Sequence, residues 1–396
     1  MYAAWVKNSS PRGENSTMPK FYNINEIGNK RVHGRTVEGA TPLPLFWNHA
    51  GVEVNCTGSE LWIHIESDCG FHEPWVAYEI NGALMGRQML LPGDHDICLY
   101  RSMVPGVIKN VKFYRETQAM GEDELCHVLV KGFSTDGTFE PVKEPKLKLE
   151  FIGDSITSGE GTYGDLDDIE WLAMYMSSSR NYATILEKEM DVETRLISQG
   201  GWGVYIAWDN NPKHNIPSIY EPVCGISEGE INKRLGAQNK YDFSSWVPDA
   251  IIVNLGTNDN SAFTQPPMEV PGYGVCKMRL DETTGEKNPE DVLKIRKAIV
   301  NFLKMLRKDN PTSLILWIYG MLGAELEPVI KGAMEEYIKE SGDDNVEYLR
   351  MSDTTPETVG SHSHPGYKAH FVAAKELGEY LSRKFNVPFK ELRGNL

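Results

Sequence analysis

The feature that most constrains this chain is a change of hydrophobic period near residue 140. From about residue 31 the apolar residues recur every second position: Leu61, Ile63 and Ile65 share one side, while Trp62, His64 and Glu66 share the other. That alternation predicts half-buried antiparallel strand. Similar short runs follow, PWVAYEI, DHDICLY, NVKFYRE and HVLVKGF, separated by the turn clusters NGAL, LPGD and STDG. No helix-period segment interrupts them, so residues 31–142 are expected to form an all-β, jelly-roll-like sandwich. Residues 1–30 are expected to be a tail or an edge segment, with Met18 an alternative start within it.

After the charged, proline-flanked stretch EPVKEPK at 140–146, read as a linker, strands alternate with helices. LKLEFIG, VETRLIS, DAIIVNLG, SLILWIYG and VEYLRMS read as strands, and NYATILEKEM and PVIKGAMEEYIKE as helices. Val292, Ile295, Ile299, Phe302 and Leu306 recur at helical spacing between Asn288-Pro289 and Asn310-Pro311, which are start and stop signals. Residues 146–396 are therefore expected to be an α/β domain of three layers, α/β/α, on a mostly parallel sheet. A length of 396 residues suits two domains, since single cores stop growing at roughly 250–300 residues. The loop-rich segments 205–245 and 260–288 are expected to wall a site.

In open α/β sheets, ligands bind beyond the carboxyl ends of the strands. LKLEFI is followed by Gly153-Asp154-Ser155, and ETRLI by Ser198-Gln199-Gly200-Gly201-Trp202-Gly203. DAIIVNL is followed by Gly256-Thr257-Asn258-Asp259, and VEYLRMS by a loop that ends in His362-Ser363-His364-Pro365. Each match alone is an ordinary turn, but four in chain order, each at a strand end, specify a site. A serine hydroxyl becomes a nucleophile when a neighbouring base takes its proton, and histidine titrates near neutrality. The oxyanion that follows requires preplaced donors, which the Ser155 amide, the Gly201 amide and the Asn258 carboxamide supply. Glycine at 201 leaves the backbone open to close approach. Asp154 is read as structural. No Gly-Lys-Ser/Thr follows GDSITSGEGT, which excludes a phosphate-binding P-loop.

The net charge of -16 opposes nucleic acid and anionic membrane surfaces and fits an uncharged substrate. Six cysteines without CxxC or zinc spacing are expected to be free, mostly buried thiols. With no leader pattern and no membrane-length apolar run, the expected location is cytoplasmic, or secreted if a leader has been removed. Tyr163, Trp171, Trp202, Trp208 and Trp246 lie in or near the loops beyond the strand ends, and Trp202, inside the glycine block, is the first candidate for contact with substrate.

GDSITSGEGT, SQGGWG, LGTND and the terminal HP resemble the four sequence blocks of the SGNH (GDSL) hydrolases over the C-terminal 250 residues or so. With a sandwich in front, the chain resembles carbohydrate esterase family 2, the acetyl xylan esterases. The resemblance implies a metal-independent serine esterase, without cofactor, that deacetylates acetylated xylan- or mannan-derived saccharides. It implies Ser155 as nucleophile, His364 as base, and Gly201 and Asn258 with the Ser155 amide as oxyanion hole. His362 competes for the role of base; His364 is preferred because Pro365 and a terminal helix bearing Leu377, Leu381 and Phe385 follow it, placing it at a helix N-cap.

Where the superfamily has an aspartate, three residues before the base, this chain has Ser361. The expectation is a Ser-His dyad oriented by a backbone carbonyl or by a carboxylate from elsewhere, Asp353 and Glu357 being the nearest acids. Two alternatives stand beside the deacetylase. One is a short-chain lipase or thioesterase of the same superfamily, and the other a non-catalytic carbohydrate-binding protein. The sandwich is expected to be structural, to bind glycan or to lend a loop to the rim.

Overall fold

A computed structural model describes residues 18–390; the segment 1–17 within the expected tail lies outside them. The first part of the chain carries β1 (Lys20–Asn23), β2 (Arg31–His33), β3 (Leu43–Pro44), β4 (Gly51–Cys56), β5 (Leu61–Asp68), β6 (Trp75–Ile80), β7 (Ala83–Met89), β8 (Gly93–Tyr100), β9 (Lys109–Arg115), β10 (His127–Thr135) and β11 (Phe139–Glu140). They pair antiparallel in two sheets. One runs β1-β10-β5-β8 with β3 also on β10, and the other β11-β4-β9-β6-β7 with β2 on β4. In β5 the alternation does what its sequence requires: Leu61, Ile63 and Ile65 are buried, and the residues between them are half-exposed. Facing side chains such as Val52, Val54, Phe113 and Val130 fill the space between the sheets.

The second part holds β12 (Leu147–Gly153), α1 (Ser155–Ser158), α2 (Tyr182–Glu189), β13 (Val192–Ser198), α3 (Glu230–Arg234), β14 (Ala250–Asn254) and α4 (Thr257–Ser261). A small hairpin of β15 (Met268–Val270) and β16 (Gly274–Cys276) follows, then α5 (Pro289–Asp309), β17 (Leu314–Tyr319), α6 (Glu327–Ser341), β18 (Val346–Arg350) and α7 (Tyr367–Phe385). The five long strands are parallel, in the order β13-β12-β14-β17-β18. Leu149, Phe151 and Ile252 face α2 and α7, whose Leu186, Leu377 and Leu381 cover them. Ile152, Ile251 and Val253 face the α5 and α6 side, with Ile295, Ile299, Phe302 and Ile330. Alternating sides of one sheet thus give three layers. Asn288 caps α5 by accepting from the Glu290 amide, and Pro289 opens the helix.

The chain leaves β12 for β13 on one side and then crosses back to β14 on the other, which makes β12/β14 a topological switch point. Gly153 is opposite Ser198 on β13 and Asn254 on β14. Three of the four motifs therefore begin level with one another along one sheet edge.

The two parts meet through buried polar contacts as well as a shared core. Arg35, fully buried, is held by both oxygens of Glu150 on β12 at 3.0 and 3.1 Å and by the Tyr220 carbonyl. Tyr220, Tyr241 and Phe243 surround its guanidinium, with centroids 4.4, 4.5 and 4.9 Å away. The Trp47 indole donates to the Val223 carbonyl at 2.7 Å. Glu116, the residue after β9, accepts from the hydroxyls of Ser177, Ser178 and Ser179. The cysteines are free thiols, as expected, but only Cys56, Cys126 and Cys224 are buried; the other three are half-exposed. Among the described residues, no helix is long and apolar enough to cross a membrane.

Candidate active site

The serine sits where β12 stops and one helical turn begins. Asp154 caps α1, its Oδ1 accepting from the Ile156 amide at 3.0 Å. Gly153 precedes it because a Cβ there would lie 2.0 Å from the Thr157 hydroxyl, and Gly159 closes the turn in the left-handed conformation at φ 82°. Ser155 itself is buried. As the first residue of the helix, it has a backbone N–H with no intrahelical acceptor.

His364 comes to this serine: its Nε2 lies 2.8 Å from Ser155 Oγ. Its Nδ1 lies 2.8 Å from the backbone oxygen of His362, so Nδ1–H donates there and Nε2 carries the lone pair that accepts the serine proton. Gly161 permits the approach, since a Cβ there would meet the His364 Cβ at 2.6 Å. One expectation needs correction. α7 begins at Tyr367 with Gly366 as its N-cap, so His364 lies before the cap, outside the first turn where the helix dipole acts. The His364 carbonyl accepting from the Gly360 amide at 2.7 Å and the Pro365–Val359 bridge hold it instead.

The expected nearby acids do not reach His364. Asp353 pairs with Arg350 and caps the Gly323 amide, and Glu357 accepts from the Thr355 hydroxyl. Ser361, in the usual aspartate position, donates instead to the Tyr163 carbonyl at 2.7 Å. The carboxylate beside the base is Glu160, buried, with Oε1 2.6 Å from His362 Nδ1 and 3.7 Å from His364 Nδ1. Its signal in the sequence was an acid between two glycines, five residues after the serine. Glu160, His362 and His364 also offer ligand atoms within 4.8 Å of one another, the donor set of a metal site by composition. Here both nitrogens of His364 already have partners, His362 O and Ser155 Oγ.

In the loop after Ser198, the last residue of β13, Gly201 has φ 79°, in the left-handed region, and its amide donates to no other group among the described residues. Asn258, on α4, donates through Nδ2 to Asp154 Oδ2 and to the Trp202 carbonyl, each at 3.1 Å. Burial pushes the Asp154 carboxyl up to about 7 and the Asp259 carboxyl up to about 6. Asp259, given no role from sequence, accepts from the amides of Val204, Tyr205 and Ile206 and so fixes the loop after the glycine block. Behind the site, Gln118 of the sandwich accepts from the Gly200 amide at 2.8 Å and from the Ser158 hydroxyl at 2.9 Å. Neither role was visible in the sequence, because Asp259 acts on a loop some 55 residues earlier in the chain and Gln118 acts across the contact between the two parts.

A cleft of about 700 Å³ opens beside Gly200, Gly201 and Trp202. Loops of the sandwich form one wall with His72, Gln118, Met120 and Glu122, so the sandwich contributes to the rim. Trp171 and Trp208 line the cleft too, and Trp208 is 49% exposed. Trp202 is stacked on His214 at 4.6 Å with 6° between the rings, and is half-buried. Two of the candidate aromatics have other partners. Tyr163 lies between Arg87 and Arg180, and Trp246 is buried against Glu193 and Arg195, in the first half of β13. The loop 205–245 walls this cleft, whereas 260–288 borders a second one with Tyr205 and Met305.

The GDSL-like Lipase/Acylhydrolase family matches residues 149–377. The chain is similar to an acetyl xylan esterase from the rumen bacterium Butyrivibrio proteoclasticus, with 52% identity, a TM-score of 0.92, and coverage of 93% of this chain and 99% of that one. A family two carbohydrate esterase from Clostridium thermocellum shares the fold at 22% identity and TM-score 0.73, over 90% of this chain and 99% of that one. Among curated proteins it is similar to the cellulase/esterase CelE of Acetivibrio thermocellus, 22% identical over 85% of this chain. It is also similar to an acetylxylan esterase / glucomannan deacetylase of Cellvibrio japonicus, 26% identical over 47% of this chain. The chain spans 37% and 55% of the length of those two relatives.

Proposed function

We infer that this chain, which belongs to the GDSL-like lipase/acylhydrolase family, is a serine esterase that removes O-acetyl groups from acetylated xylan- or mannan-derived saccharides. The observation that carries the reading is His364 Nε2 at 2.8 Å from Ser155 Oγ; in support, the Gly201 amide, in the loop after the neighbouring strand β13, is uncommitted among the described residues. In the proposed reaction, His364 takes the Ser155 proton as Oγ attacks the acetyl carbonyl carbon. The oxyanion that forms is met by the Ser155 and Gly201 amides and by Asn258. On collapse, the sugar oxygen leaves with the proton held by His364, and an acetyl-enzyme remains. Water then attacks this ester with His364 again as base, and His364 returns the proton to Ser155 Oγ as acetate departs.

Two observations support a sugar as the alcohol. The 52% identical structure is that of an acetyl xylan esterase. The cleft combines exposed indole surface with His72, Glu122, Asp209 and Lys213, a lining suited to hydroxyl-rich ligands and poorly suited to a long acyl chain. The preformed contact between Ser155 and His364 weighs against a purely binding role, which has no use for an activated hydroxyl.

The test is time-resolved NMR of acetylated xylo- and manno-oligosaccharides with the native protein and with Ser155→Ala. Release of acetate by the native protein alone, selective for one acetyl position, is the expected result. Acetate from neither protein would overturn the sugar deacetylase, and release by both would exclude Ser155 as nucleophile.

A further inference from the structure

We propose that Glu160 and His362 are positioning residues for the base: the Glu160 carboxylate clamps the His362 side chain and so aims the His362 backbone carbonyl at His364 Nδ1. The proposal rests on the esterase reading above and answers what replaces the aspartate absent at position 361.

A carbonyl orients an imidazole only if its peptide plane is fixed. The peptide in question joins two non-glycine residues in the left-handed region, His362 at φ 51°, ψ 31° and Ser363 at φ 55°. Side chains disfavour that conformation, so it persists only where surrounding contacts impose it. The contacts are present on both sides of His362. Its amide donates to the Asp168 carbonyl at 2.6 Å, and its Nδ1 meets Glu160 Oε1 at 2.6 Å. Hydrogen bonding to the Glu160 carboxylate raises the His362 pKa, which favours the imidazolium as donor. The clamped ring also forms a wall for the base, since the His362 and His364 rings stack 5.3 Å apart with 7° between their planes.

Glu160 is tied to the nucleophile as well. Its backbone N–H donates to the Ser155 carbonyl at 3.0 Å, so one residue is held to the serine through its main chain and to the base through its side chain. Its direct distance to His364 Nδ1, 3.7 Å, is too long for a hydrogen bond, whereas the His362 carbonyl is at 2.8 Å. The route from carboxylate to base therefore runs through His362.

The experiment compares Glu160→Ala, Glu160→Gln, His362→Ala and the double alanine variant with the native protein on p-nitrophenyl acetate, alongside thermal melts. Both single alanine variants are expected to lower kcat about 10- to 100-fold with KM nearly unchanged, because the base is misplaced while substrate binding is not disturbed. Glu160→Gln, which keeps an acceptor oxygen, is expected to retain part of the loss-sensitive activity and to carry the test if the alanine variant fails to fold. The double variant is expected to match the worse single one, since the two residues act as a unit. A kcat within twofold of native for folded Glu160→Ala, Glu160→Gln or His362→Ala, or losses that multiply in the double variant, would overturn the clamp. A native protein without Ser155-dependent turnover would overturn the esterase reading itself, and the clamp with it.

Discussion

The carboxamide of Asn258 is bound to the carboxyl of Asp154, with Nδ2 3.1 Å from Oδ2, and its other hydrogen reaches the Trp202 carbonyl. Both hydrogens of the expected oxyanion donor are thus occupied at rest, and an arriving oxyanion must draw one away. Asn258→Ala is expected to lower kcat about 10²- to 10³-fold, the cost typical of one lost oxyanion donor. Steady-state kinetics on an acetyl ester decide this. A loss under tenfold would assign the hole to the two backbone amides alone.

Trp208 and Trp202 are expected to separate. Trp208 presents its indole to the cleft beside Gly201, while Trp202 is committed to His214. Trp208→Ala is expected to raise KM for an acetylated oligosaccharide about tenfold, the equivalent of one stacking contact, and to leave p-nitrophenyl acetate hydrolysis unchanged. Trp202→Ala is expected to affect both substrates and the melting temperature.

His370 on α7 is fully buried and stacked on Tyr182, and its Nδ1 accepts from the Tyr182 amide at 3.1 Å. Burial lowers its pKa to about 3, from an unfolded value near 6.5. The unfolded chain binds the extra proton between those values, so stability is intact above about pH 6.5 and is lost as pH falls toward 3, by on the order of 4 kcal/mol from this residue. His370→Asn keeps an acceptor and removes the titration. Urea unfolding across pH 3.5 to 7 is expected to show a shallower pH slope, by up to one proton.

Arg35 and Glu150 are both buried at the contact between the sandwich and the α/β part. Arg35→Ala leaves the Glu150 carboxylate without its ion partner and is expected to cost about 3–5 kcal/mol in urea unfolding. Replacing both residues with apolar ones is expected to recover much of that loss. A single-variant cost below about 1 kcal/mol would mean that the contact does not depend on the pair.

Strand alternation in β5, the unbroken apolar run of β14 and the caps of α5 were legible because each depends on residues close in sequence. The same holds for the four motifs, which mark strand ends locally. Glu160, Asp259 and Gln118 were given no role because each acts on a backbone segment remote in the chain, and nothing in its own neighbourhood signals the partner. Asp353 and Glu357 were near His364 in sequence but are turned to Arg350 and Thr355. The N-cap expectation missed because Pro365 and Gly366 carry the chain further before α7 begins.

By itself, then, the sequence determined which segments are strands and helices, and which serine, glycine, asparagine and histidine stand beyond strand ends. Those are consequences of periodicity and short-range backbone preference, and they need no partner from afar. Only the tertiary structure decided what orients the base, which indole faces the cleft, and that the sandwich builds one wall. Each of these depends on distances between residues far apart in the chain, such as Glu160 and His362, and the packing of the sheets and the layers sets such distances.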